Sequence, residues 1–189
     1  MMKRFTLSGL LLLLSMGSLV HAEANDTVKM FKVELLAFDQ RNDERLHEEH
    51  WPIAPGTPDF NHSVILHDLI NPETDSLAYS YLPTDKFELT SYEHKLDNSG
   101  QYHTLLHVAW LQPMTTEREA KKIHLTSSAP FEGNITLSQS RYPHASLDFV
   151  LYHDNQVYRL SNSTKLKLNK MQYIDNPLVG ILIKVSKVT

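Results

Sequence analysis

Eleven histidines and a complete lack of cysteine are the chemically conspicuous features of this 189-residue chain. Histidine beside carboxylate can hold a metal ion, and His47-Glu48-Glu49-His50 is the densest such stretch. Its second histidine stands at i+3, whereas the H-E-x-x-H zinc motif needs i+4 to put both imidazoles on one helix face. That stretch reads as charged and solvated. His103 and His107 do stand four apart, but in a segment of strand periodicity, where ~3.3 Å per residue separates them by ~13 Å, too far to share an ion. They read as structural histidines. His144 and His153, at the two ends of another strand, are kept apart in the same way. The sequence calls for no metal and no cofactor.

Nucleophilic chemistry lacks its signatures as well. There is no G-x-S-x-G elbow and no S-x-x-K or S-D-N pattern, so no activated nucleophile is legible. A Ser-His-Asp arrangement assembled by the fold stays open, because such triads are set by geometry and not by chain order. Glu34, Asp148 and Asp175 are carboxylates available to a glycan hydrolase, but that pair is defined by separation in space. The expectation is a protein that is not an enzyme. The rival from the other class is a metal-dependent hydrolase built on the histidines.

Aromatic and polar residues at strand ends remain. Trp110 ahead of Gln112-Pro113, Arg141-Tyr142-Pro143-His144 between two strands, and Tyr173 with Asp175 near the last turn are candidates to line a groove for sugar or peptide. Aromatic faces stack on sugar rings, and arginine and histidine hold carboxylates. The plainer reading is packing in core and turns, and a strand tryptophan is most often buried.

These residues must be carried by a chain that begins with an export signal. Lys3 and Arg4 precede an apolar run from Leu10 to Val20, and Val20-His21-Ala22 offers a cleavage site before Glu23. Residues 1–22 are therefore expected to be a signal peptide and residues 23–189 a single domain. The apolar run is shorter than the ~18 residues of a spanning helix, so no membrane anchor is expected after cleavage. A chain without cysteine carries no acylated cysteine, and its fold is held by its core rather than by disulfides. Lys3 and Arg4 leave with the leader, two of the 18 basic residues against 22 acidic, so the mature chain carries a formal charge of −6. Nucleic-acid binding is not expected of such a chain.

Period-two alternation dominates the rest. Residues 28–38 place Phe31, Val33, Leu35 and Ala37 opposite Lys32, Glu34 and Leu36. Residues 39–49 are dense in charge, and three prolines between Trp51 and Pro58 make a loop. Residues 61–82 show no clear period. A helix is predicted from Thr84, as N-cap, to Leu96, with Leu89, Tyr92 and Leu96 on one face. Strands are predicted over 104–111, 122–126, 133–140, 145–152, 157–168 and 179–188, with a hairpin turning at His153-Asp154-Asn155-Gln156. The fold class is α+β, a predominantly antiparallel β-sheet domain with about one covering helix.

At these segments the chain resembles the CsiV family of exported, peptidoglycan-binding cell-shape-integrity proteins. The resemblance is carried by the run from Phe31 to Phe38, by Trp51-Pro52, and by the run from Ser99 through Leu105-Leu106-His107-Val108-Ala109-Trp110 to Gln112-Pro113. Arg141-Tyr142-Pro143-His144 with Leu147-Asp148-Phe149, and the run from Tyr173 to Gly180, complete it. Asn176 stands where the family pattern has a histidine, Pro143 interrupts the tyrosine-histidine segment, and Lys165 and Lys167 replace an arginine-rich stretch. Lysine keeps the charge there without the bidentate fork. The resemblance implies a periplasmic, non-catalytic protein that binds peptidoglycan and supports cell-wall synthesis together with the lipoprotein activator of a penicillin-binding protein. A partner-only envelope adaptor without glycan binding is the nearest alternative, and a chaperone-like envelope protein is a more distant one.

Overall fold

The alternation of the first segment becomes strand β1, Met30–Gln40, in the computed structural model of the chain, which describes residues 29–40, 55–68, 77–128, 130–153 and 155–188. The expected leader, His47-Glu48-Glu49-His50 and Trp51-Pro52 lie outside the described residues. Downstream come two-residue strands β2 (Val64–Ile65) and β3 (Ser80–Tyr81), a 3-10 turn at Thr84–Lys86 and one α-helix, α1, Thr90–Asn98. Six longer strands and a short one follow: β4 (Tyr102–Pro113), β5 (Lys122–Thr126), β6 (Phe131–Gln139), β7 (Pro143–His153), β8 (Gln156–Lys165), β9 (Met171–Ile174) and β10 (Val179–Lys187). The predominantly antiparallel α+β class expected from the sequence is the class found, with β2 and β5 pairing in parallel.

The strands form two five-stranded sheets, ordered β3-β4-β1-β10-β9 and β2-β5-β6-β7-β8. One face of each is apolar, and the two apolar faces share a core. Phe31, Val33, Leu35 and Ala37 of β1, Trp110 of β4 and Ile181, Ile183 and Val185 of β10 meet Ile123, Ile135, Leu137, Leu147, Phe149 and Leu160 of the second sheet. Phe131 and Phe149 stack with ring centroids 5.0 Å apart inside it. Burial of this continuous apolar layer is what holds the cysteine-free chain together.

The outer faces differ. That of the first sheet carries a second apolar cluster, Leu36, Phe38 and Leu182, closed over by Leu89 and Leu96 of the helical segment. Here the structure corrects the expected helix. Thr84 starts only the 3-10 turn, α1 begins at Thr90, and its N-cap Leu89 has no side-chain cap of its own. The cap comes from β1: the Glu34 carboxylate accepts the backbone N–H of Glu88 at 2.8 Å and of Leu89 at 2.7 Å. A carboxylate so placed satisfies orphan donors and complements the positive helix end. Tyr92, expected on the buried face, is 40% exposed, with Lys95 Nζ 5.6 Å from its ring centroid.

Candidate functional site

Among the described residues no helix lies on the outer face of the second sheet, and its composition follows from strand register. Every second residue of β5 to β8 points away from the core, and these residues line up in rows across the strands. One row is His124, Asn134, Asp148 and Ser161; the next is Lys122, Thr136, Ser146 and Ser163; a third is Ser138, His144 and Lys165. Hydroxyls, amides and paired charges thus occupy a surface whose counterpart on the first sheet carries the apolar cluster under α1. Ser146 and Ser163, exposed, have their hydroxyl oxygens 3.3 Å apart.

A loop, residues 55–63, forms one wall over this floor. Lys122 Nζ donates to the Asp59 carboxylate at 2.7 Å, Asn134 Nδ2 donates to the Asp59 carbonyl at 2.9 Å, and the Ser63 hydroxyl donates to Asn134 Oδ1 at 3.0 Å. The Lys122 ammonium holds the Asp59 carboxyl below its usual range. Arg159 grips Asp148 with Nε and Nη2 at 2.7 and 2.8 Å and donates Nη1 to the Pro55 carbonyl at 3.0 Å. Asp148 is the first cause raising the pKa of that guanidinium. Gly56 lies against it with φ +71°, a left-handed conformation glycine adopts without cost. Between loop and sheet opens a cleft of about 330 Å³, lined by Asp59, Lys122, Asn134, Thr136, Ser146 and Ser163 among others. It offers many neutral donors and acceptors at fixed spacing, a surface suited to polyhydroxylated ligands.

The six residues singled out by sequence do not converge. Trp110 is fully buried between the sheets, its indole N–H donating to Gln112 Oε1 at 2.7 Å, and presents no face to a ligand. Tyr173 is 51% exposed on β9 of the first sheet, where it stacks on Phe38 at 6.3 Å and donates its hydroxyl to Asp175 at 2.6 Å. Arg141, Tyr142 and His144 belong to the β6–β7 turn and the start of β7, so they sit at the end of the polar rows. Tyr142 is exposed; Lys165 Nζ lies 3.0 Å from its ring centroid and the Arg141 guanidinium 5.5 Å. His144 Nδ1 lies 3.0 Å from the Tyr142 carbonyl. Of the three carboxylates open to a hydrolase reading, Glu34 and Asp148 face away from each other on the outer sides of the two sheets. Asp175 is held by Tyr173.

His107 has a structural role. Its Nε2 lies 3.0 Å from Glu34 and its Nδ1 2.8 Å from Glu93 of α1, with its ring 4.5 Å from that of Phe87. Burial pulls its pKa down, but hydrogen bonds and charge from Glu34 and Glu93 outweigh burial and leave it raised. Burial pushes Glu34 up, and His107, the Glu88 and Leu89 amides and Lys32 more than reverse this. Lys32 and Lys184 both pair with Glu88, completing a charged clasp between the first sheet and the helical segment. Sequence reasoning passed over this clasp, although a carboxylate and a histidine inside two apolar strands were its signal, since buried charges must pair. It also passed over the polar rows, which read in sequence as an ordinary solvent-facing alternation.

Among the described residues, no group of three histidine, aspartate or glutamate side chains is arranged to hold a metal ion, and no helix is long and apolar enough to cross a membrane. Comparison with known proteins finds a match between residues 6–188 and a family model described as peptidoglycan-binding protein, CsiV. No curated protein and no solved structure matches the chain.

Proposed function

The chain belongs to the CsiV family of peptidoglycan-binding proteins, and from that premise we propose that it is a non-catalytic scaffold of the periplasm that binds peptidoglycan directly. In this reading it supports cell-wall synthesis and cell shape, acting beside the lipoprotein activator of a penicillin-binding protein. The observation that carries the reading is the polar outer face of the second sheet, over which no helix lies among the described residues and where Thr136, Ser146, Ser161 and Ser163 stand in register beside a cleft. A sugar strand presents hydroxyls and acetamido groups, and a floor of hydroxyls and amides exchanges hydrogen bonds with them one for one. The leader expected over residues 1–22 and the family description both support an envelope location.

Sedimentation with purified sacculi tests direct binding. The mature protein is expected in the pellet, released by soluble muropeptides; protein left wholly in the supernatant refutes the reading. Crosslinking in cells tests the partner, with recovery of the synthase activator expected. Loss of that crosslink upon removal of the activator alone, with sacculus binding kept, is also expected, because the two contacts are separate in this reading.

A further inference from the structure

We propose that the end of the polar face at the β6–β7 turn is a carboxylate-reading site for the peptide stems of peptidoglycan, with Arg141 and Lys165 as its cations and the adjoining rows of hydroxyls holding the glycan. This rests on the peptidoglycan-binding reading above and assigns that ligand's two chemical halves to two neighbouring places.

Three observations carry it. Arg141 and Lys165 converge on one exposed aromatic ring, that of Tyr142, from 5.5 and 3.0 Å. Two cations on one ring repel each other, and the ring's quadrupole offsets this only in part. Secondly, among the described residues no carboxylate lies within ion-pair distance of either, although Lys32, Lys122, Arg159 and Lys184 are each paired with one. In a chain with 22 acidic residues against 18 basic ones, a pair of converging cations without a counter-ion is a local excess that an incoming anion neutralises. Thirdly, Lys165 stands directly across from His144 in the row next to Thr136, Ser146 and Ser163. Two residues along a strand is a step of about 7 Å, so a carboxylate held at the turn and a sugar lying on the hydroxyl row are neighbours. The Arg141 guanidinium supplies the planar fork for a carboxylate, and Lys165 the point charge beside it. The charge-neutral rows give no such preference, which divides the work between the ends of the face.

The test compares two soluble ligands, a muropeptide disaccharide carrying its peptide stem and the same disaccharide with the stem removed and the freed lactyl carboxyl capped as a neutral amide, against the mature protein and its Arg141→Gln/Lys165→Gln variant. Both side chains are on the surface, and an unchanged thermal midpoint verifies that the variant is folded. The variant is expected to lose about tenfold in affinity for the stem-bearing ligand, the effect of two partly exposed charge contacts. Its affinity for the bare disaccharide should be unchanged, and the wild-type preference for the stem should weaken with salt. Equal affinity of variant and wild type for the stem-bearing ligand overturns the site while wild-type binding to sacculi leaves the peptidoglycan reading standing. Wild-type protein that binds neither sacculi nor muropeptide overturns both.

Discussion

Replacing Glu34 by glutamine removes one charge from the clasp between the first sheet and α1 while keeping its shape. The Glu34 side chain is 1% exposed, and its Oε1 accepts from Leu89 N–H at 2.7 Å and Glu88 N–H at 2.8 Å and meets His107 Nε2 at 3.0 Å. Oε2 takes a second, 2.9 Å share of the Glu88 N–H. In Glu34→Gln the amide oxygen can replace Oε1, but its bonds lose the charge that makes such contacts roughly twice as strong, about 1 kcal/mol each. The amide NH2 then faces the Glu88 N–H, donor against donor, and His107 keeps a neutral acceptor at Nε2 but has Glu93 as its one remaining charged partner among the described residues. The expected loss is about 3 kcal/mol, within the range for breaking a buried charged pair, and at 2–4 °C per kcal/mol for a domain of this size the midpoint falls by about 6–12 °C.

The pH dependence gives a second reading of the same network. His107 is raised above its ordinary 6.5, so its contribution is full below 6.5 and is lost as pH rises through the folded-state value. Glu34 is lowered below 4.5, so its contribution is present above 4.5 and is lost as pH falls through its folded-state value. Wild-type stability in urea should therefore be greatest between these limits and decline on both sides, and the variant should show a flatter profile. An unchanged urea midpoint in Glu34→Gln, or identical pH profiles for the two proteins, would refute the account of how α1 is held.

Three further outcomes are expected. In Gly180→Ala the new methyl falls within the Phe38 ring, itself packed edge-on against Tyr102 at 5.4 Å, so overpacking should lower stability by about 1–3 kcal/mol in urea titration; unchanged stability would show that this cluster has slack. Gly56→Ala imposes a Cβ on a left-handed residue 3.1 Å from Arg159 Nη1. With a penalty of about 1 kcal/mol or more, it should speed amide exchange of Ser63 and weaken sacculus binding with little change in the global midpoint, and normal binding would remove the loop from the site. Trp110→Phe leaves the buried Gln112 carbonyl without its indole donor and should cost about 1–3 kcal/mol while sacculus binding by the folded protein is kept; lost binding at unchanged stability would put Trp110 in the site after all.

Much of the fold was legible because strand periodicity is a local property. The β7–β8 hairpin turns between His153 and Gln156 where the polar tetrapeptide placed it, β5 occupies Lys122–Thr126 as predicted, and the last strand buries Ile181, Ile183 and Val185. The family was legible for a related reason, since its matching segments are contiguous runs. The polar rows and the clasp were not, because each joins residues distant in sequence. Ser138, His144 and Lys165 become one row only through two pairings, and Glu34 caps a helix that starts 56 residues later.

What the sequence by itself determined, then, is which residues share a strand face, where the chain turns, and that no cysteine chemistry is available. Period two says nothing of what covers a face. Only the tertiary structure decided that the chain splits into two sheets, that α1 closes over the outer face of the first and not of the second, and that Trp110 goes to the interior while Tyr142 stays at the surface. The physical reason is that covering a face depends on non-local burial. Leu36, Phe38 and Leu182 have apolar area to withdraw from water and draw the helix onto their sheet. Thr136, Ser146 and Ser163 have little, and α1 does not lie over them.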